Sequence, residues 1–253
     1  MMGELLQHPA TDVFLYAMIT AVATGLGALP FFLVKNITRN WLGVSNAVAS
    51  GLMLAASFGL IYEGLEYDWW YTFIGILLGL VFIAVSQRML NSSGEHAAIT
   101  NIAGRNSDNT KMLLVVGIMT LHSFTEGVSV GVSFSGSLDL GLYITTAIAV
   151  HNIPEGLAIS LVLIPRGVSP LKAMGWSIFS SLPQPLMAVP AFLFVHIFQE
   201  YLPMGLGFAG GAMIWMVFAE LIPDALEDSN SSSVATAITI SIALMIVFQV
   251  LIA

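Results

Sequence analysis

HNIPEG, residues 151–156, places a histidine, an asparagine and a glutamate within a long apolar stretch of the chain. The apolar tripeptides IAV and LAI flank it on either side. A second segment, HSFTEG at residues 122–127, repeats the pattern within another apolar run. Because burying polar groups without partners costs free energy, the surroundings of these two segments decide both the fold and the chemistry.

The composition excludes an ordinary water-soluble domain. Of the 253 residues, 57% are hydrophobic and 9% are charged, whereas a soluble domain has about 25% charged residues. Too little polar surface is available to face water on all sides, so the lipid bilayer is an expected partner. The net charge of −8 argues against nucleic-acid binding. The absence of cysteine restricts any metal site to nitrogen, oxygen or methionine sulfur ligands.

Eight apolar segments are each long enough to cross the bilayer as a helix, which takes about 20 residues. They cover approximately residues 12–34, 43–65, 69–90, 111–135, 139–164, 170–198, 203–223 and 232–253. The polar stretch 91–111, rich in asparagine, serine and glycine, predicts a loop between the third and fourth spans. The sequence therefore predicts an all-α integral membrane protein with eight transmembrane helices in one domain, residues 1–253.

The distribution of basic residues predicts the orientation. All seven Lys and Arg residues lie in or beside the segments that follow spans 1, 3 and 5. Connections rich in Lys and Arg stay in the cytoplasm. We therefore predict that the loop at 91–111 is cytoplasmic and that both termini are extracellular or lumenal. The residues do not distinguish the plasma membrane from an internal membrane.

An internal repeat relates the two ends of the chain. Shifting the sequence by 160 residues places spans 1 and 2 on spans 6 and 7, so that ALPFFL at 28–33 meets AVPAFL at 188–193. Span 1 and span 6 cross the membrane in opposite directions, which makes this an inverted repeat of spans 1–3 and 6–8. Inverted repeats are typical of secondary transporters.

Each of the two polar segments pairs a histidine with a glutamate four residues later. On a helix this spacing puts His122 with Glu126, and His151 with Glu155, on one face. Both pairs lie near the middle of their spans, where imidazole nitrogen and carboxylate oxygen suit zinc, ferrous iron or manganese. A single pair could equally be a buried contact that joins helices. Two pairs at matched depth on adjacent spans favour a metal site.

Prolines accompany the polar segments. Pro154 cannot donate a backbone hydrogen bond and is expected to loosen the helix beside His151. Pro183 and Pro185 are expected to do the same around Gln184. Interrupted helices occur at membrane depth where they line a site or a cavity, so Gln184 joins the candidate metal-site residues.

The chain resembles the ZIP (Zrt-/Irt-like protein) metal transporters over nearly its whole length. The resemblance rests on eight spans and on TGLGALP, GLMLAASF, HNIPEG and AMIWMVFAELIP in the first, second, fifth and seventh. It implies a transporter rather than an enzyme, which imports a divalent metal ion. Zinc is the first expectation, with Fe²⁺, Mn²⁺ and Cd²⁺ as alternatives. It also implies a 3+2+3 helix arrangement and elevator-like motion of spans 1, 4, 5 and 6 against spans 2, 3, 7 and 8, in a chain that could form a homodimer.

The resemblance also assigns residues by position. His122, Glu126, His151 and Glu155 match the primary ligands, Ser123 and Asn152 match second-site positions, and Met53 matches a residue that approaches from span 2. Taken without the resemblance, Ser123 and Asn152 could instead bond to the backbone or to a neighbouring helix, and Met53 could simply pack in the core.

The chain departs from the family pattern at three positions. Ser123 replaces the usual asparagine, Thr125 the usual proline, and Gln184 stands where a glutamate is common. An amide oxygen can bind a metal ion but brings no charge. With only two carboxylates near the centre, we expect a single metal ion rather than two.

Two other functions stay open at this level. An intramembrane metal-dependent hydrolase would use a metal-activated water, but the His-Glu-x-x-His string of zinc proteases does not occur in the chain. A metal-sensing membrane protein without flux would use the same ligands. Flux of metal ions into sealed vesicles separates a transporter from both.

Overall fold

The computed structural model describes residues 2–33, 38–100, 107–164 and 167–252, with side chains at 9–33, 38–89, 120, 122–164 and 167–251. These residues form helices and their connections, and they contain no strand. The α-helices are α1 (Met2–Leu26), α2 (Pro30–Leu33), α3 (Arg39–Tyr67), α4 (Trp69–Thr100), α5 (Ser107–Gly136), α6 (Leu138–Leu163), α7 (Pro170–Ser181), α8 (Pro183–Ile197), α9 (Leu202–Met216), α10 (Ile222–Asp228) and α11 (Ser231–Ile252). The all-α prediction is therefore confirmed for the described chain.

Among the described residues, seven helical segments are long and apolar enough to cross a membrane. Their bounds are Pro9–Leu33, Arg39–Tyr67, Trp69–Met89, Leu138–Leu163, Pro170–Ile197, Gln199–Asp228 and Ser231–Leu251. They correspond to seven of the eight predicted spans. The remaining predicted span, 111–135, lies within α5, part of whose side chains fall outside the described residues. The count of eight and the 3+2+3 arrangement stay predictions.

The polar connection between the third and fourth predicted spans is shorter than the sequence suggested. We predicted a loop at 91–111, but α4 continues to Thr100 and α5 begins at Ser107. Residues 101–106 lie outside the described residues. The physical reason is that polar character alone does not end a helix. The stretch contains no proline, and residues such as Glu95, Ala97 and Ala98 favour helix.

The sixth predicted span is interrupted where its prolines occur. Helix α7 ends at Ser181, and α8 begins at Pro183, with Leu182 between them donating its backbone N–H to the carbonyl of Phe179. This interruption places Gln184 in the first turn of α8. By contrast, α6 runs from Leu138 to Leu163 without interruption through Pro154. The expected loosening is found around Gln184 and not as a break in α6.

The helices pack as two groups. The first bundle consists of α1, α5, α6, α7 and α8, and the second bundle consists of α3, α4, α9, α10 and α11. The bundles meet where α3 packs on α6 and where α5 packs on α9. The main apolar core follows this seam, with Met53, Leu60, Tyr143, Ile148 and Met213 all buried in it. The seam is also where the polar segments of α5 and α6 lie.

Glycines bring helix backbones into contact within each bundle. Gly156 of α6 faces the backbone of Thr24, and Gly127 of α5 faces the backbone of Gln184, so that an added Cβ would overlap main-chain atoms. Among the described glycines, every approach to another helix's backbone this close falls within one bundle. Across the seam glycine faces side chains, as at Gly59, where a Cβ would lie 3.0 Å from the ring of Tyr143.

Candidate metal centre

Three potential metal ligands converge at the middle of the first bundle. Glu126 of α5 and His151 and Glu155 of α6 each offer one ligand atom, and these atoms all lie within 4.8 Å of one another. His151 Nε2 and Glu126 Oε1 are 3.3 Å apart. All three residues are buried. The four-residue spacing of His151 and Glu155 produces this arrangement, because it directs both side chains toward α5.

The polar atoms of this cluster are poorly satisfied by the protein. Both carboxylate oxygens of Glu155, Oε1 of Glu126 and Nδ1 of His151 are buried without a hydrogen-bond partner among the described residues. Buried polar groups are normally hydrogen-bonded, and an exception calls for an explanation. Two buried carboxylates beside an imidazole nitrogen are the donor set that a divalent cation satisfies. The residues present therefore fit a metal ion.

Gln184 fixes one side of the cluster. Its Nε2 donates to Glu126 Oε2 at 2.6 Å. Its Oε1 accepts from Thr20 Oγ1 at 2.5 Å and from Asn152 Nδ2 at 3.1 Å. Asn152 Nδ2 also donates to the backbone carbonyl of Thr20 at 2.8 Å. The oxygen of Gln184 is thus already engaged twice, and its amide holds one oxygen of Glu126 in place.

His122 is not among the three residues whose ligand atoms converge. Its Nε2 is 2.7 Å from Glu220 Oε2, without the angles of a hydrogen bond. Glu220 belongs to a π-helical turn, Val217–Leu221, in which the N–H of Ile222 reaches the carbonyl of Val217. Pro223 follows this turn and has no N–H to donate. Because His122 belongs to the first bundle and Glu220 to the second, this contact crosses the seam.

The other predicted site residues are also buried. Ser123 Oγ and Asn152 Oδ1 have no hydrogen-bond partner among the described residues. Met53 is fully buried in the apolar core. Thr125, in place of the proline of the family pattern, donates its hydroxyl to the carbonyl of His122 at 2.8 Å.

Sequence reasoning missed two residues of this region. Glu220 is a carboxylate inside the apolar seventh predicted span, and that placement was the signal that could have identified it. Thr20 lies in the first predicted span, where a threonine carries no comparable signal because its hydroxyl commonly bonds to its own helix. In the structure Thr20 Oγ1 does contact the carbonyl of Ala17, at 2.7 Å, besides Gln184.

Comparison with known proteins identifies the family. The model of the family described as ZIP Zinc transporter matches residues 85–250, about two thirds of the chain. The chain belongs to the ZIP family. The matched residues of this ZIP protein include the whole buried cluster, Gln184 and Glu220, whereas Thr20 and Met53 precede them.

Individual ZIP relatives extend the match over most of the chain. An Arabidopsis thaliana protein named "Putative zinc transporter" is 54% identical over 240 residues, which is 93% of this chain and 38% of that protein. Zinc transporter GufA of Myxococcus xanthus is 30% identical over 82% of this chain and 86% of its own length. Zinc transporter ZIPB of Bordetella bronchiseptica is 32% identical over 88% and 75%, respectively. This chain thus spans little more than a third of the plant protein.

Proposed function

We propose that this chain carries zinc across a membrane toward the cytoplasm through the buried cluster of Glu126, His151 and Glu155. The observation that carries the proposal is the convergence of these ligand atoms within 4.8 Å, with buried oxygens and a ring nitrogen that lack partners. A transported cation would supply those partners and then leave. The zinc transporter names of the relatives support zinc as the ion.

The charges of the cluster favour one ion per site. Glu126 and Glu155 together neutralise one divalent cation. Gln184 contributes no charge, and its oxygen accepts hydrogen bonds from Thr20 and Asn152. A second divalent ion at the same depth would add two uncompensated charges in a medium of low dielectric constant. We therefore propose that Ser123 and Asn152, which match the second-site positions of the family, support the binding of a single ion.

The two bundles support an elevator-like mechanism. Backbone contacts through glycines such as Gly127 and Gly156 stiffen each bundle, because closely packed helices move as rigid bodies. Across the seam the glycines face side chains, as at Gly59 and Tyr143. Rigid bodies that meet through side chains can slide past each other. The first bundle carries the cluster and is the part that would move with the ion.

Metal flux tests the proposal directly. Purified protein in sealed vesicles containing a metal-sensitive dye should import zinc, and Fe²⁺, Mn²⁺ and Cd²⁺ should be compared under the same conditions. Glu126→Gln should abolish the signal, whereas Glu200→Gln, which removes an exposed carboxylate, should not. Absence of flux from wild-type protein that still binds zinc would overturn transport and leave a sensing role.

The proposed orientation has its own test. Because the chain contains no cysteine, Asn106→Cys creates a unique labelling site in the connection proposed to be cytoplasmic. An impermeant thiol reagent should label it only after the cells are opened. Labelling of intact cells at the plasma membrane would overturn the orientation, with both termini outside, that the basic residues predict.

A further inference from the structure

A cavity of about 360 Å³ with both polar and apolar walls lies at the seam between the bundles, at the end of the molecule that carries Arg39. Its walls come from the start of α3, the second half of α6 and α10. The α6 wall is apolar and consists of Ala158, Leu161 and Val162. The residues of the buried metal cluster do not line this cavity, so it is a separate compartment.

The wall formed by α10 is strongly acidic. Asp224, Glu227 and Asp228 lie three and four residues apart, which places them on one face of the helix. Arg39 is the only positive group among the described lining residues, and its Nη1 is 3.7 Å from Asp228 Oδ1. The Arg39 side chain is 80% exposed, and such a solvated pair contributes little. Three carboxylates therefore face one loosely held guanidinium.

A mostly buried amide side chain faces the same cavity. Asn46 of α3 lines the same cavity and is only 5% exposed. Its side chain makes no hydrogen bond with any residue that the structure describes, and its backbone carbonyl accepts from Ser50 Oγ at 2.7 Å. Its amide atoms are not among the sealed, unpartnered polar atoms of the described residues, so they reach the space of the cavity. Its position opposite the α10 carboxylates provides a neutral oxygen ligand for whatever the cavity holds.

We propose that this cavity is a second cation site, which binds a divalent ion together with part of its hydration shell. The Asn46 amide oxygen and the carboxylates of Asp224 and Asp228 would face the ion. All are hard oxygen donors, which suit ions such as Mn²⁺ and Mg²⁺. The cavity is large enough for water molecules to lie between the ion and some of these ligands.

This site differs chemically from the buried cluster. The cluster has an imidazole nitrogen, is closed to solvent and suits zinc. The cavity has only oxygen ligands and opens on the surface. Arg39 competes with the bound ion, because its guanidinium already sits beside Asp228. The proposal concerns binding and does not depend on whether the chain transports zinc.

Manganese binding in a variant without the buried carboxylates tests the proposal. In full-length protein carrying Glu126→Gln and Glu155→Gln, a Mn²⁺ titration followed by electron paramagnetic resonance should still show saturable binding. Adding Asp224→Asn should weaken that binding about tenfold, because it removes one carboxylate beside a divalent charge. The matched control is Glu66→Gln, which removes an exposed carboxylate elsewhere on α3 and should leave the affinity unchanged.

A variant that is expected to bind Mn²⁺ more tightly completes the test, because a misfolded protein would not gain affinity for the ion. In the same background, Arg39→Gln should strengthen Mn²⁺ binding about threefold, because a weak competing charge is removed. Loss of all saturable Mn²⁺ binding in the background variant would overturn the site. Equal affinities in Asp224→Asn and Glu66→Gln would also overturn it. If Mn²⁺ binds as expected while wild-type protein carries no zinc, the cavity site stands and the proposed transport fails.

Discussion

The two His-x-x-x-Glu segments have the same spacing but different surroundings. In α6, His151 lies 3.3 Å from Glu126 and stays within the first bundle. In α5, His122 lies 2.7 Å from Glu220 of the second bundle. The α6 segment is therefore held by the bundle to which it belongs, whereas the α5 segment also contacts the bundle across the seam. Identical spacing thus places one histidine in a contact within its own bundle and the other in a contact across the seam.

The residue after each histidine shows the same contrast. Asn152 of α6 donates to Gln184 and to the carbonyl of Thr20, both in the first bundle. Ser123 of α5 has no partner for its hydroxyl among the described residues. At this position the α6 side chain is therefore held by hydrogen bonds, whereas the α5 side chain is not. The predictions below test this contrast, beginning with the change that should cost most.

The largest effect should come from the glutamates, in which the two segments do not differ. Glu126→Ala or Glu155→Ala removes a charged ligand and should abolish zinc uptake while the protein still inserts. The loss should exceed the roughly 100-fold that removal of an outer-shell partner can cost at metal sites. Uptake is to be measured at equal surface level. Wild-type uptake in either variant would show that these carboxylates only join helices.

Substituting the histidine of each segment should lower the zinc affinity to a different extent. His151→Ala should weaken zinc binding about 100-fold or more, because His151 lies in the cluster and even an outer-shell partner contributes about 10- to 100-fold. His122→Ala should weaken it less, because His122 contacts Glu220 instead. Competition with a zinc-binding dye measures both affinities in purified protein. Equal losses of zinc affinity in the two variants would contradict this expected difference and would indicate that His122 joins the cluster whenever zinc is bound.

The contact across the seam should influence rate more than affinity. Glu220→Gln removes the charge that faces His122 and leaves the cluster of Glu126, His151 and Glu155 intact. We expect zinc uptake to change about tenfold, since the pair is largely buried and loss of one partner leaves the other uncompensated. Zinc affinity should stay within the error of the wild type. A parallel loss of affinity would make Glu220 a ligand of the transported ion.

The smallest expected effect concerns the number of zinc ions that each chain binds. Gln184→Glu adds a third carboxylate beside Glu126 and Glu155. Bound zinc should rise from about one ion per chain toward about two, because crowded like charges are relieved by a cation. Elemental analysis of purified protein under saturating zinc measures the ratio. A wild-type ratio near two would refute the single ion, and an unchanged ratio in Gln184→Glu would mean that the new carboxyl group binds a proton instead.

Composition and apolar length were sufficient to predict most of the helices. The predicted span 69–90 corresponds to the membrane-spanning segment Trp69–Met89, and 139–164 to Leu138–Leu163. These agreements follow from the length that a helix needs to cross a bilayer. The loop at 91–111 was overestimated because polarity sets where a helix leaves the membrane, not where its backbone hydrogen bonds end.

The spacing of the polar residues accounts for part of the observed geometry. The four-residue spacing predicts that His151 and Glu155 share a helix face, and in the structure their ligand atoms lie close to one of Glu126. Metal binding by these residues stays a prediction. The partner of His122 could not be predicted, because it depends on how α5 packs against the π-helical turn that carries Glu220. The engagement of Gln184 by Thr20 depends in the same way on the packing of α1 against α8. Such tertiary contacts leave no periodic signal in the sequence.

The unpartnered atoms of the cluster also bear on the lifetime of the protein. The buried oxygens of Glu155 and the neighbouring unpartnered atoms carry a desolvation cost, which a bound metal ion would remove. An ion that binds only the folded chain adds about 2.7 kcal/mol of stability at a concentration 100 times its dissociation constant. Metal-starved cells should therefore degrade this protein faster than metal-replete cells, so that the abundance of the chain itself reports the supply of its ion.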